Sequence, residues 1–365
     1  MMKKISFTQE WARGLSRKRE AMDFPRKCLF EITTRCNLTC RHCYVVADPQ
    51  KKELSTAQVC ALFDQLVEAG CFHVTLTGGE PLAREDIFFL LEYARRRGLF
   101  THLFTNATLI TPQAADMLKS LQLISLEISL HSLKREHFDD VTRVAGSFDR
   151  VLEALRLLSG MKGKIVLKIN ITKANFAELD DLKRYVEEWG VLPVWATLLL
   201  PRAVGCADNL KLRLSPPEVL EAEDRVYGFS SENAMQLQGD DHLEQNLEKK
   251  CDDSSSQQSL FRCGAGKVGL AITAYGEVKP CMPFPPTGYY AQDHGLKDIW
   301  QELKKHVAGF QPSKDFQCPT CAVRKHCVSC PAKARLECGD MNLCPEYYRQ
   351  LAQLRALKND PQETI

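Results

Sequence analysis

Short apolar runs alternate with amphipathic stretches through the first two hundred residues. An apolar run over 28–33 predicts a strand. A helix follows from a capping box, Ser55-x-x-Gln58, and ends at Gly70. A second strand is predicted over 72–77. The next helix carries Ile87, Leu90, Leu91 and Ala94 on one face and stops at Gly98. A third strand spans 99–105, after which Thr111-Pro112 opens a helix with a cap and a first-turn proline. A fourth strand covers 124–130 and a helix runs over 148–159. The fifth strand, 164–171, leads to a helix that Asn175 and Glu178 could cap and Gly190 ends. A sixth strand covers 191–200. Regular strand–helix alternation implies a parallel sheet. Six such units are too few to close an eightfold barrel, so the predicted fold class is α/β, a partial (β/α)6 barrel. Acting residues should then stand just after the strands, at their C-terminal ends.

The alternation breaks after Arg202. Residues 206–260 are polar, closing on Asp252-Asp253-Ser254-Ser255-Ser256, and read as a bridging segment. Cys263 to Cys344 is cysteine-rich, and a short helix over 345–358 closes the chain. The expected division is an N-terminal extension (1–27), the partial barrel (28–205), the bridge (206–260), a small cysteine-rich iron–sulfur domain (261–349) and a tail (350–365).

Composition narrows the classes. The 365 residues are 44% hydrophobic, enough for a full core. Forty-eight basic against 46 acidic residues leave a net charge of +2, which offers no bulk attraction for nucleic acid or membrane. The first residues are polar and basic, with no apolar signal-peptide core. The longest apolar stretch, 191–200, is interrupted by Pro193 and cannot span a bilayer. Sixteen cysteines in a chain of this size without an export signal point to a reducing cytoplasm, and there to metal or redox chemistry.

Three motifs carry that chemistry. In Cys36-Asn37-Leu38-Thr39-Cys40-Arg41-His42-Cys43, after the first strand, three thiolates suit three irons of a 4Fe–4S cubane and leave the fourth iron open to a ligand. A zinc site or buried thiols is the plainer alternative. Thr77-Gly78-Gly79-Glu80-Pro81 follows the second strand on the same face, where the glycines let backbone approach a ligand closely and Glu80 can accept from an ammonium group. The third motif brackets Gly276 between Cys263 and Cys281, then continues as Cys318-x2-Cys321-x5-Cys327-x2-Cys330-Pro331, Cys338 and Cys344. By spacing alone a zinc ribbon and iron–sulfur sites fit it equally. Cys28, Cys60, Cys71 and Cys206 lie outside these motifs and read as small buried hydrophobes.

The C-x3-C-x2-C loop followed by a Gly-Gly-Glu turn in a partial barrel resembles the radical S-adenosylmethionine (SAM) superfamily. The resemblance implies that SAM chelates the open iron and that its reductive cleavage gives methionine and a 5′-deoxyadenosyl radical, which takes a hydrogen atom from the substrate. It implies that Gly78, Gly79 and Glu80 hold the methionine amine, that Asn106 stands at the third strand's end, and that Ser129 contacts SAM. Arg143 would hold the SAM carboxylate, a surface arginine being the equal alternative. His131 stands where relatives often carry an acidic or aromatic residue. The cysteine-rich part resembles a SPASM domain, which implies two auxiliary 4Fe–4S clusters, one on Cys263, Cys281 and Cys330, with Cys251 or an open site as fourth ligand, the other on Cys318, Cys321, Cys327 and Cys344. The spacing Cys327-x2-Cys330 departs from the three intervening residues of many relatives.

The stretches from Asp139 to Phe148 and from Cys330 to Asp340 resemble maturases of ribosomally made peptides. This implies a peptide substrate, an electron donor such as flavodoxin or ferredoxin, and a separate leader-binding companion protein, since the extension before the first strand is too short for a domain. A sulfatase-maturase-like or tetrapyrrole side-chain-modifying enzyme is the alternative. A non-catalytic metal-binding interaction protein is the reading of another class, and the open iron beside a glycine turn argues against it.

Overall fold

The computed structural model describes residues 24–227, 260, 261 and 264–359. The basic run from Arg13 to Arg19, Cys251, Cys263 and most of the predicted bridge lie outside the described residues.

The predicted strand–helix alternation forms with ends shifted by a few residues, and a helix that the sequence did not show, over 135–142, precedes the one predicted at 148–159. Strands β1 (Lys27–Thr33), β2 (His73–Gly78), β3 (Phe100–Thr105), β4 (Ser125–Ser129), β5 (Ile165–Asn170) and β6 (Leu192–Ala196) lie parallel in that order. Between them run α1 (Thr56–Ala69), α2 (Ile87–Arg96), α3 (Pro112–Ser120), α4 (Arg135–Thr142), α5 (Ser147–Leu157) and α6 (Leu179–Trp189). The caps are those that local chemistry dictates. Ser55 and Gln58 form the reciprocal capping box of α1, and Gly70 ends it with φ +91°. Thr111 accepts from the Ala114 N–H ahead of Pro112 in α3. Phe30, Ile32, Val74, Leu76, Leu103, Ile128 and Leu167 are all 0% exposed and form one apolar layer with the helices; the ring of Phe30 meets Phe63 of α1 edge-on at 6.0 Å. The alternate residues along each strand turn to the opposite, inner face of the sheet.

Three features depart from the expectation. First, the sheet continues past the six units: β7 (Gly269–Ile272) lies parallel beside β1, and β8 (Val278–Lys279) pairs antiparallel with β7, giving the order β6-β5-β4-β3-β2-β1-β7-β8. The sheet stays open. Second, part of the predicted bridge is helical. Helix α7 (Pro216–Tyr227) buries Val219 and Ala222, and its Glu223 pairs with Arg355 of α10 (Glu346–Asn359) in a buried contact. Third, Asn175 and Glu178 do not cap α6. Asn175 accepts from the Thr172 N–H and donates to the carbonyls of His131 and Asn170. Glu178, 2% exposed, accepts from Ser132 Oγ at 2.6 Å and Leu133 N at 3.0 Å, fixing the turn after β4. Gly190 does end the helix, with φ +67°.

The C-terminal part adds α8 (Leu296–Gly309), whose Leu296, Ile299, Trp300 and Leu303 are buried, and α9 (Pro331–Cys338). Arg213 links the bridge to this part: it pairs with Glu337 and lies 3.7 Å from the centroid of the Tyr347 ring.

Candidate functional site

The loop carrying Cys36, Cys40 and Cys43 leaves the C-terminal end of β1 and is fastened on every side. Glu53 holds its start, accepting from Thr33 Oγ1 at 2.9 Å, Thr34 N at 2.6 Å and Thr34 Oγ1 at 2.8 Å. Its middle rests on the last turn of α4, where Thr39 N donates to the Thr142 carbonyl at 3.2 Å and Arg41 N to that of Val141 at 2.9 Å. Those carbonyls are free because the helix stops there: Arg143 takes the left-handed conformation, φ +57°, an uncommon choice for a residue with a Cβ. Its side chain is exposed beside the loop. The far end of the loop is held by Arg202, whose Nε donates to the Cys43 carbonyl at 3.1 Å. Beyond it Tyr275, from the turn between β7 and β8, accepts from the Asp48 N–H at 2.6 Å.

Gly78 and Gly79 bind this loop to β2. Gly79 N donates to the Thr33 carbonyl at 2.9 Å and Glu80 N to that of Arg35 at 2.8 Å. A Cβ on Gly78 would stand 2.0 Å from the Thr33 oxygen, and one on Gly79 2.4 Å from that of Arg35. The glycines therefore serve close approach of backbone to backbone at the root of the cysteine loop. Glu80, next in the turn, is held by three donors of this chain. It is 0% exposed, and its carboxylate accepts from Leu82 N, Thr105 Oγ1 and Asn106 N at 3.0, 2.8 and 2.6 Å. Burial, opposed by those bonds, pushes its carboxyl up to about 7.

Asn106, after β3, reaches the cysteines. Its Nδ2 lies 3.7 Å from Cys36 Sγ and donates to Asn37 Oδ1 at 3.0 Å, while Thr108 donates to its Oδ1 at 2.6 Å. Ser129 ends β4, half-buried. His131 is 5% exposed and packs edge-on against His42 at 4.7 Å, and the Nδ1 atoms of both rings are buried without a hydrogen-bond partner. Burial drives His131 well below its ordinary range and His42 down to about 4, so both rings are neutral.

Burial, then the neighbouring Cys43 and Cys36 thiols, pushes Cys40 up to about 12. Burial likewise raises Cys36 and Cys43, with Arg202 opposing at Cys43. Such thiols ionise when cationic iron takes the proton's place. Three soft donors of this kind on one loop, with the intervening His42 ring turned against His131, suit a 4Fe–4S cluster with one iron left open.

In the C-terminal part Cys318 and Cys321 flank a 3-10 turn, Cys327 follows another, and Cys344 precedes α10. Burial raises the Cys344 thiol first, and the charges of Cys327, Cys318 and Cys321 raise it further. Cys281 packs against the small core formed by Leu260, Phe261, Phe284 and Val307, and Cys330 stands at the N-cap of α9. Cys338 is exposed. Cys28 and Cys71 are 1% exposed among apolar side chains, while Cys60 and Cys206 are half-buried. None of the fourteen described cysteines is in a disulfide, and no described helix is long and apolar enough to cross a membrane.

Sequence reasoning passed over Glu53, Arg202 and Tyr275. Each is an isolated residue that the fold brings to the loop, and no local pattern marks it.

Residues 30–186 match the radical SAM superfamily. The chain is 26% identical to the AdoMet-dependent heme synthase of Nitratidesulfovibrio vulgaris, over 85% of this chain and 88% of that protein. It is 28% identical to the mycofactocin maturase MftC of Mycobacterium tuberculosis, over 85% and 78% of the two chains. Among solved structures, Streptococcus suis SuiB bound to its precursor peptide SuiA shares the fold with a TM-score of 0.69 at 19% identity, covering 94% of this chain and 80% of SuiB.

Proposed function

This chain is a radical SAM enzyme, its domain matched over residues 30–186, and from that premise we propose that it modifies a ribosomally made peptide. When bound, a 4Fe–4S cluster with SAM supplies the radical that removes a hydrogen atom from the substrate. Cys36, Cys40 and Cys43 hold that cluster. Asn106 donates toward Cys36 and sets its thiol, and Arg202 offsets charge at Cys43. Gly78 and Gly79 keep the loop's root against β2, and Glu80 ties the β2 and β3 ends together from inside. Ser129 and Arg143, at the β4 end and beside the loop, contact SAM. Auxiliary clusters sit on Cys318, Cys321, Cys327 and Cys344, and on Cys263, Cys281 and Cys330, the second set with Cys251 or an open site. An electron donor such as flavodoxin or ferredoxin, a leader-binding companion protein and a reducing cytoplasm complete the reading.

The observation that supports a peptide is the open sheet. Among the described residues β6 and β8 are its two edges and do not pair with each other. An extended segment can enter there and present one side chain. The maturase among the relatives points the same way, as does the peptide-bound neighbour of like fold. The heme synthase relative favours a second reading, oxidation of a tetrapyrrole side chain. Anaerobic turnover of precursor peptides encoded beside the gene, with and without a small companion, tests the proposal. Peptide modification supports it; consumption of a tetrapyrrole with SAM, and of no peptide, replaces it.

A further inference from the structure

The inner face of the sheet carries an unbroken row of polar side chains on four neighbouring strands, apart from the site above. His73 Nδ1 on β2 lies 3.3 Å from His102 Nε2 on β3. His102 Nδ1 lies 2.8 Å from Ser125 Oγ on β4, and Ser125 Oγ donates to Glu127 Oε1 at 3.1 Å. Lys168 Nζ on β5 stands 3.3 Å from Glu127 Oε2 and 3.4 Å from the centroid of the Phe104 ring.

The row climbs as it crosses the strands. His73 is the first residue of β2 and lies in register with Phe100, the first of β3, at the N-terminal rim of the sheet. Lys168 lies in register with Ser129, the last residue of β4, at the C-terminal end where the cysteine loop stands. The middle is enclosed, with Ser125 and Glu127 at 8% and 7% exposure, and both ends are half-exposed.

The donors and acceptors form a chain with two complete polarities. With Glu127 ionised, every N–H and O–H can point toward its carboxylate: His73 Nδ1–H to His102, His102 Nδ1–H to Ser125, Ser125 O–H to Glu127. With Glu127 protonated, each bond can reverse, Glu127 giving to Ser125, Ser125 to His102 Nδ1, and His102 Nε2–H to His73. Both states satisfy every member, and passing between them carries one proton from Glu127 to His73. Burial, with Lys27 adding to it, lowers His73 from its ordinary range. Among the described residues, the charged groups facing the two ends are Lys27 below and Lys168 above.

The geometry points to a proton conduit: the row takes a proton from the inner space at Glu127 and releases it to solvent at His73. The inference rests on the peptide modification proposed above and takes that modification to be an oxidation. With those cofactors bound, the nucleoside radical would take a hydrogen atom from a substrate C–H bond and an oxidised iron–sulfur centre would take the remaining electron, so that one proton is left for Glu127 to carry away.

Ser125 is the link to cut. In the reconstituted enzyme, Ser125→Ala should lower the ratio of modified peptide to SAM cleaved at least about tenfold and enlarge the solvent deuterium isotope effect on product formation, while Ser125→Thr should keep the parental ratio. Equal ratios in all three proteins, or an equal fall in both variants, would overturn the conduit. A measurement without substrate separates this from the function itself. Nitrogen-15 spectra of labelled histidines should place the His102 proton on Nδ1 in the parent and in Ser125→Thr, and on Nε2 in Ser125→Ala. One tautomer throughout would overturn the conduit whatever the substrate proves to be. Absence of any peptide product from the parent would instead overturn the peptide reading and leave the tautomers to decide the row.

Discussion

The carboxylate of Glu80 accepts the backbone N–H of Asn106 at 2.6 Å, so the residue that closes the Gly-Gly turn is fastened to the residue that reaches Cys36. Because burial raises the Glu80 carboxyl from 4.5 to about 7, the folded chain binds that proton more tightly than the unfolded chain. Its favourable contribution is complete below the unfolded value and is lost as pH rises through about 7. Relative to Glu80→Gln, the parent should lose about 2 kcal/mol of stability between pH 5 and pH 8. Urea unfolding of both proteins across that range measures it. Parallel pH curves would refute the shift.

Gly78→Ala should be among the costliest single changes, because its Cβ would enter the Thr33 carbonyl and its φ of +136° resists a side chain. A loss on the order of 3 kcal/mol or more is expected, with weakened retention of the N-terminal cluster. Gly160→Ala is the control: no atom lies within 4 Å of its Cβ and its backbone is ordinary. It should change stability by less than about 0.5 kcal/mol. Thermal unfolding with iron analysis distinguishes the two.

Replacing Cys36, Cys40 and Cys43 together by Ala should abolish reductive SAM cleavage while iron stays bound to the C-terminal part. The assay is 5′-deoxyadenosine formation under reducing, anaerobic conditions. Cleavage at the parental rate would remove these cysteines from the assignment.

The two C-terminal sets and the N-terminal loop together predict about twelve irons per chain, at four per cubane. Anaerobic iron, sulfide and zinc analysis checks the number. About four irons with stoichiometric zinc would favour a zinc ribbon.

Breaking the buried pair between Arg355 and Glu223 by Arg355→Met should cost about 3–5 kcal/mol, since it takes the guanidinium away from a carboxylate that is 4% exposed. Adding Glu223→Gln should recover part of the loss. Denaturant unfolding of the single and double variants reads the difference.

Much of this was legible in the chain because the signals were local. Ser55 and Gln58, Thr111-Pro112, Gly70 and Gly190 each act within a turn of their own position, and the structure repeats them. The cysteine loop and the Gly-Gly turn fell after β1 and β2 for the same reason. What stayed hidden depends on distant partners. β7 is four residues long and has little pattern of its own; it exists because β1 offers it an edge. Helix α7 lies in a polar stretch whose few apolar residues matter only against α6 and α10. Glu80 carries an acid's sequence signature, and only three donors gathered from two strand ends show that it works as an internal tie.

The pairing of β7 with β1 sets an order of events on the ribosome. More than two hundred residues separate Thr33 from Gly269, yet they belong to adjacent strands. At roughly 5–20 residues per second, the nascent chain carries β1 with one side unpaired for roughly ten to fifty seconds. An open strand edge is a template for another polypeptide. Translation that stalls between the two strands would therefore release a product whose first strand is ready to recruit a stranger.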